Sequence, residues 1–157
     1  MNIFYLSTDP EKAAKYMYNK HVVKMILESA QLLCTAHVIS DGPDANVPYK
    51  VTHKNHPSAI WARESVSNYI WLYDHMIALG KEYTRRYGKK HLTILKCEWP
   101  LSSAPKNVSK IELTPMPQCM PDQYKVPGNS VEAYWNYYEA EKVNVRNSNE
   151  SIITRPI

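Results

Sequence analysis

Hydrophobic and polar positions along the chain fall into helix-period runs separated by proline-rich stretches with no period. Residues 2–6 form a short apolar run, either a strand or an extended arm. Thr8-Asp9-Pro10-Glu11 then combines a cap, a first-turn proline and capping-box chemistry to start a helix that reaches about Asn19. Over residues 20–39, Val22, Val23, Met25, Ile26, Leu27, Ala30, Leu32, Leu33, Ala36 and Val38 cover most of a helical circumference, which predicts the central helix of the fold. Ser40-Asp41-Gly42-Pro43-Asp44 breaks it. Pro57 suits the first turn of one long helix whose core face is Ile60, Trp61, Tyr69, Ile70, Leu72, Met76, Ile77 and Leu79, continuing to Tyr87 with Gly88 as its stop.

A short helical piece is expected over residues 89–97. Residues 99–128 carry six prolines, which exclude regular helix and disfavour a central strand. This long loop is expected to pack back on the body through Trp99, Met116, Met120 and Tyr124. Asn129-Ser130-Val131-Glu132 starts a last helix over residues 131–145, and residues 146–157 read as a polar, loose tail. The sum is an all-α fold: a compact single-domain helical bundle over residues 1–157, with two long helices crossing, a long Pro-rich loop, and no repeats.

One feature of the central helix is not explained by packing. His21 and Glu28, seven residues apart, share nearly one azimuth two turns apart, and Lys24 and Gln31 lie on the adjacent line. A plain alternative makes this the solvent face of an amphipathic helix, supported by a Lys24–Glu28 pair worth a few tenths (~0.3) of a kcal/mol. Against that, the apolar residues leave only a narrow gap, and a narrow polar stripe on a largely buried helix lines a cleft.

A second concentration of polar groups is Thr52-His53-Lys54-Asn55-His56-Pro57, just ahead of a helix amino terminus where backbone N–H groups and the helix dipole favour an anion such as phosphate. Capping and turn formation explain the same residues without a ligand. His53 and His56 lack a third ligand at a recognisable interval, so no metal is expected. Arg63 has the planar fork that grips phosphate or carboxylate, and Asn68 on the same stretch is placed to orient the set.

Composition narrows the class further. Nineteen basic against fifteen acidic side chains give +4, which permits an anionic partner without requiring one. One Phe stands against 12 Tyr and 4 Trp, a bias toward rings with a hydrogen-bonding handle that suits pocket walls and base stacking, or the wet edge of a small core. Cys34, Cys97 and Cys119 are odd in number and far apart, which fits a reducing compartment. No signal peptide is evident, and no stretch is read as approaching the roughly 20 apolar residues of a membrane span, so a cytoplasmic location without membrane contact is expected. A phosphate-cradling glycine loop, a Gly-x-Ser-x-Gly elbow and a zincin motif are all missing.

Lys20-His21-Val22-Val23 through Glu28, then Asn55-His56-Pro57 leading into a long aromatic helix, resembles the pyrimidine-dimer DNA glycosylases of the phage endonuclease V type. The likeness covers about two-thirds of the chain, and Tyr134-Trp135-Asn136-Tyr137-Tyr138 is similar to the aromatic segment that family presents to DNA. The resemblance implies a DNA N-glycosylase with AP-lyase activity, needing no cofactor and acting in the host cytoplasm if phage-encoded. In that family a free amino terminus attacks the sugar C1′ as the base departs, and the helical Glu stabilises the developing charge.

Carried onto this chain, Glu28 is the charged catalyst, His21 is a substrate or phosphate contact, and the amine role falls to Met1 or is lost. Lys24, Gln31, His53, Lys54, His56, Arg63, Asn68, Tyr137 and Tyr138 are the binding set. Two departures stand out. Asn2 is a poor signal for removal of Met1, and family arginines flanking the Glu fall on Leu27 and Gln31, which predicts weaker duplex binding. Three readings stay open: this glycosylase, a nucleotide or modified-base hydrolase in which Glu28 activates water, and a non-catalytic nucleotide- or partner-binding module. Oligomeric state is not readable.

Overall fold

Local chemistry starts and stops the helices of the computed structural model, which describes residues 2–156. Residues 2–7 are an arm without regular secondary structure, kinked at Phe4, with Ile3, Phe4, Tyr5 and Leu6 all buried. The Asp9 carboxylate accepts from the N–H groups of Glu11 and Lys12 and, with Pro10 in the first turn, opens α1, Pro10–Lys15. α1 stops at Tyr16, short of the expected end, and α2 takes over at Asn19–Asp41. α2 has no cap from its own neighbourhood. Glu150, far along the chain, accepts from Asn19 N–H at 2.8 Å, and Arg86 donates to the Asn19 side chain and to the Lys15 and Met17 carbonyls at the end of α1.

The single long helix expected after Pro57 is two helices: α3, Pro57–Glu64, and α4, Val66–Tyr87. Ser65 is extended, and its hydroxyl caps α4 by accepting from Asn68 N–H. The break frees the N–H groups of Val66 and Ser67, which donate to the carbonyls of Lys110 and Ile111 in the long loop. It also resets the helical phase. Trp61, Tyr69, Leu72, Met76 and Leu79 are in the core as expected, whereas Ile60 and Ile70 face outward. Gly88, at φ 74°, ends α4 in the left-handed conformation. α5, Leu92–Cys97, and α6, Ser130–Glu141, follow, with 3₁₀ turns at Asp122–Tyr124 and Lys142–Val145. No strand occurs among the described residues, so the class is all-α.

The loop over residues 99–128 is tied at many points. Asp41 accepts from the N–H groups of Lys106 and Asn107, Gln118 pairs with the Val126 backbone, and Tyr134 donates to the Pro117 carbonyl. Met116 is buried as expected, but Trp99 is 85% exposed. The segment after Val145, expected to be loose, also makes bonds. Ile153 N–H donates to Tyr18, and Arg155 bonds Glu139 and Asn136.

α2 passes through the middle, packed on α3, α4 and α5. It is long and apolar enough to cross a bilayer, contrary to the expectation that no stretch is, but here that apolarity is spent largely in the core. Close approach of α4 and α5 depends on Gly80, where a Cβ would stand 2.6 Å from Ile94 Cγ1 and 2.8 Å from Ile94 Cδ1. Gly80→Ala is therefore expected to destabilise by about 1–3 kcal/mol in urea titrations, through overpacking. In an Ile94→Ala background the same change should cost far less, and equal costs in the two backgrounds would show that the contact is not limiting.

Candidate active site

The polar ridge of α2 is not a solvated face. His21 is 6% exposed and the Glu28 side chain 15% exposed, while Gln31 is half-buried. Lys24 reaches into water, its side chain 67% exposed, and its Nζ lies 3.7 Å from Glu28 Oε2. A carboxylate withdrawn this far, beside the Lys24 ammonium, interacts strongly with whatever enters next to it. Val23 and Leu27, counted among the core positions from periodicity, are on the exposed side of the same helix, bordering Lys24.

Two segments converge on His21. The Phe4 ring stacks on the imidazole with centroids 4.4 Å apart and planes 24° apart. Phe4 has φ 56°, a left-handed conformation rare for a bulky residue. Asn2 holds it there: its side-chain oxygen accepts from Phe4 N–H at 3.0 Å while its amide donates to the Cys119 carbonyl at 2.8 Å. From the other side, Tyr138 of α6 sits with its hydroxyl 2.8 Å from His21 Nδ1. Lys142 lies over the rings of Phe4 and Tyr137, at 5.8 and 4.8 Å from their centroids. Burial, reinforced by the charges of Lys142, Lys24 and Lys20, lowers the His21 pKa to about 4.

At the far end of the ridge, Thr35 Oγ1 bonds both the N–H and the carbonyl of Thr52, which brings the histidine-rich segment alongside. His56 caps α3, its Nδ1 accepting from Ser58 N–H at 3.0 Å, so this nitrogen carries no proton. Burial above all lowers its pKa, and the charge of His53 acts in the same direction. His53 is exposed, at φ 50°, with Nδ1 2.8 Å from the Thr52 hydroxyl, and Lys54 is exposed. Ser58 Oγ in turn lies 3.7 Å from Cys119 Sγ, so Asn2, Cys119 and the start of α3 form one continuous wall.

Arg63 is half-buried, its pKa lowered by burial, and its Nη1 is shielded from water without a hydrogen-bond partner. Asn68 is fully buried and fully used: it donates to the Trp61 carbonyl and to Thr114 Oγ1, and accepts from Thr114 N–H. It therefore anchors the long loop to the α3–α4 break. Tyr138 is wholly buried behind His21, whereas Tyr137 is half-buried against Tyr124 and Lys142. Met1 lies outside the described residues. A concavity of about 630 Å³ lined by Leu6, Ser7, Thr8, Lys12, Tyr16 and Trp135, among others, contains none of the predicted residues.

The family model described as pyrimidine dimer DNA glycosylase matches residues 1–95, taking in the arm, the whole α2 ridge, the histidine segment, α3 and α4. The chain belongs to that family. Neither a curated protein nor a solved structure matches it. Membership makes it a DNA glycosylase by descent, acting on a DNA substrate. Among the described residues no group of three or more His, Cys, Asp or Glu is placed to hold a metal.

Sequence reasoning missed Asn2, Phe4, Thr35, Ser58 and Lys142 in this glycosylase. One signal was available for Phe4. It is the single aromatic without a polar handle, at a place where a ring must be dry.

His75 of α4 behaves like His21. It is wholly buried, donates from Nδ1 to the Pro10 carbonyl at 3.0 Å, and burial lowers its pKa to about 4. An unfolded histidine titrates near 6.5, so between about pH 6.5 and 4 the unfolded chain binds protons that the folded one does not. Stability is thus expected to fall on acidification through that window, by roughly 1.4 kcal/mol per pH unit for each of His21 and His75. Urea midpoints at about pH 7 and about pH 5 measure this, and equal midpoints would refute it.

Proposed function

We propose that this glycosylase removes a damaged or modified pyrimidine from DNA with Glu28 as the charged catalyst and the α-amine of Met1 as nucleophile, and then cleaves the strand as an AP lyase. The observation that carries the reading is the Glu28 carboxylate, nearly withdrawn from water yet edged by Lys24 on the ridge that the arm, α6 and the histidine segment surround.

The neutral amine nitrogen bonds to the sugar C1′ as the C1′–N bond breaks, and the base leaves with the bonding pair and gains a proton. Glu28 stabilises the positive charge that develops on the sugar. Opening of the sugar ring yields a Schiff base, and loss of a C2′ proton expels the 3′ phosphate with its bonding pair. An α-amine suits this because its ordinary pKa near 8 leaves a useful fraction neutral at physiological pH.

Phosphate contacts fall to Arg63, His53, Lys54 and Lys24, with Lys142 as a further cation. Support for Arg63 comes from its shielded Nη1, which an anionic oxygen would satisfy. His56 contributes through the α3 amino terminus that it caps. Uncharged Leu27 and Gln31 beside Glu28 limit duplex affinity.

Glu28→Gln is expected to lower kcat/KM for base release from a pyrimidine-dimer oligonucleotide by about a hundredfold or more, with DNA affinity changed only a few-fold. Wild-type rates in that variant would sink the assignment. Borohydride should trap a covalent adduct that maps to the amino-terminal peptide. Base release without an adduct would instead indicate water activated by Glu28. Arg63→Gln should weaken binding to all sequences alike and reduce the salt dependence of log Kd by about one phosphate contact, and an unchanged slope would remove Arg63 from the interface.

A further inference from the structure

Tyr138 comes from α6, outside the segment matched by the family model, yet its hydroxyl sits at the inner edge of the ridge. That hydroxyl has two partners: Tyr18 N–H at 2.9 Å and His21 Nδ1 at 2.8 Å. Tyr18 N–H can only donate, so the phenol oxygen accepts there. The phenol has one proton, and with the ring wholly buried that proton must go to a partner. Nδ1 of His21 is the partner able to accept it. An imidazole that accepts at Nδ1 and is neutral carries its proton on Nε2. The Phe4 ring stacked at 4.4 Å on one face removes the freedom to turn over.

We propose that Tyr138 is a positioning residue that locks His21 as the neutral Nε2–H tautomer, so that His21 meets the substrate as a fixed hydrogen-bond donor and not as a base or an imidazolium. The role of His21 toward substrate rests on the glycosylase reading above; the tautomer does not. A donor of this kind suits a sugar or phosphate oxygen beside the Glu28 carboxylate, because it adds polarity without placing a second cation against the charge that develops on the sugar. The three ammonium groups of Lys20, Lys24 and Lys142 act in the same direction, since each opposes protonation of the ring. The same phenol oxygen receives the N–H at the entrance to α2, so the clamp and the start of the catalytic helix are one structure.

The test is nitrogen-15 NMR on histidine-labelled full-length protein near pH 7. Wild type is expected to show His21 with a protonated Nε2 and a bare Nδ1, and a protonated Nδ1 would overturn the proposal without need of any variant. Tyr138→Phe removes the phenol proton, and it should give a mixed or reversed tautomer together with about a tenfold or greater loss of kcat for base release. A single Nε2–H tautomer with full kcat in that variant would also overturn it. His21→Gln retains a donor near the Nε2 position and is expected to keep more activity than His21→Asn, with Tyr138→Phe adding little in the His21→Gln background. If wild-type protein releases no base, the glycosylase reading fails, while the NMR result still decides the tautomer.

Discussion

A helix enclosed by neighbours along most of its length can carry an imidazole and a carboxylate only if each is relieved of the cost of a naked buried charge, and α2 meets that constraint in two different ways. His21 is kept uncharged: Phe4 and Tyr138 enclose it, and burial with three nearby ammonium groups drives its pKa to about 4. Glu28, two turns on, stays next to Lys24, whose long side chain reaches water and carries the balancing charge to the edge of the fold. The ridge thus changes from a neutral, rigid end to an ionic, partly open one. The reaction proposed for this family member uses that gradient, because a charge catalyst must be present where the sugar sits while the imidazole beside it adds no further cation.

The entrance to α2 makes the same dependence visible in the backbone. Tyr18 provides no side-chain cap, and the N–H groups there are satisfied by the Tyr138 phenol and the Glu150 carboxylate. Arg86, held by Glu82, closes the turn between α1 and α2 from below. The matched segment, residues 1–95, holds the ridge, yet the groups that orient its first turn come from the last thirty or so residues. Strain at Phe4 belongs to this economy. A left-handed aromatic persists because Asn2, Cys119 and the stack on His21 all specify it together, and such over-determined geometry is characteristic of sites rather than of plain core.

Chain positions with local chemistry were legible. Asp9 with Pro10, Gly88 as a stop, Asn129 with Glu132, and the helical period of residues 20–39 each act through neighbours a few residues away, so sequence suffices to read them. The ridge of His21, Lys24, Glu28 and Gln31 was legible for the same reason. Spacing on one helix is fixed by 3.6 residues per turn. The break at Ser65 was not, because the local pattern from Pro57 to Tyr87 supports continuous helix. What tips the balance is remote: Lys110 and Ile111 accept the N–H groups that the break exposes, and Asn68 bonds Thr114.

By itself the sequence determined the all-α class, the central helix, the ridge upon it and the family. These follow from periodicity, capping and residue identity, which are short-range properties of the chain. Only the tertiary structure decided how far Glu28 is withdrawn from water, that Tyr138 stands behind His21 and not on the surface, that Asn68 is spent on anchoring a loop, and that Phe4 stacks on His21 with Lys142 over its ring. Each of these is a contact between residues separated by tens of positions. Whether a polar group ends in water, in a bond or against a ring depends on which distant segment packs over it, and that is set by the summed packing of the whole chain, not by any window of it.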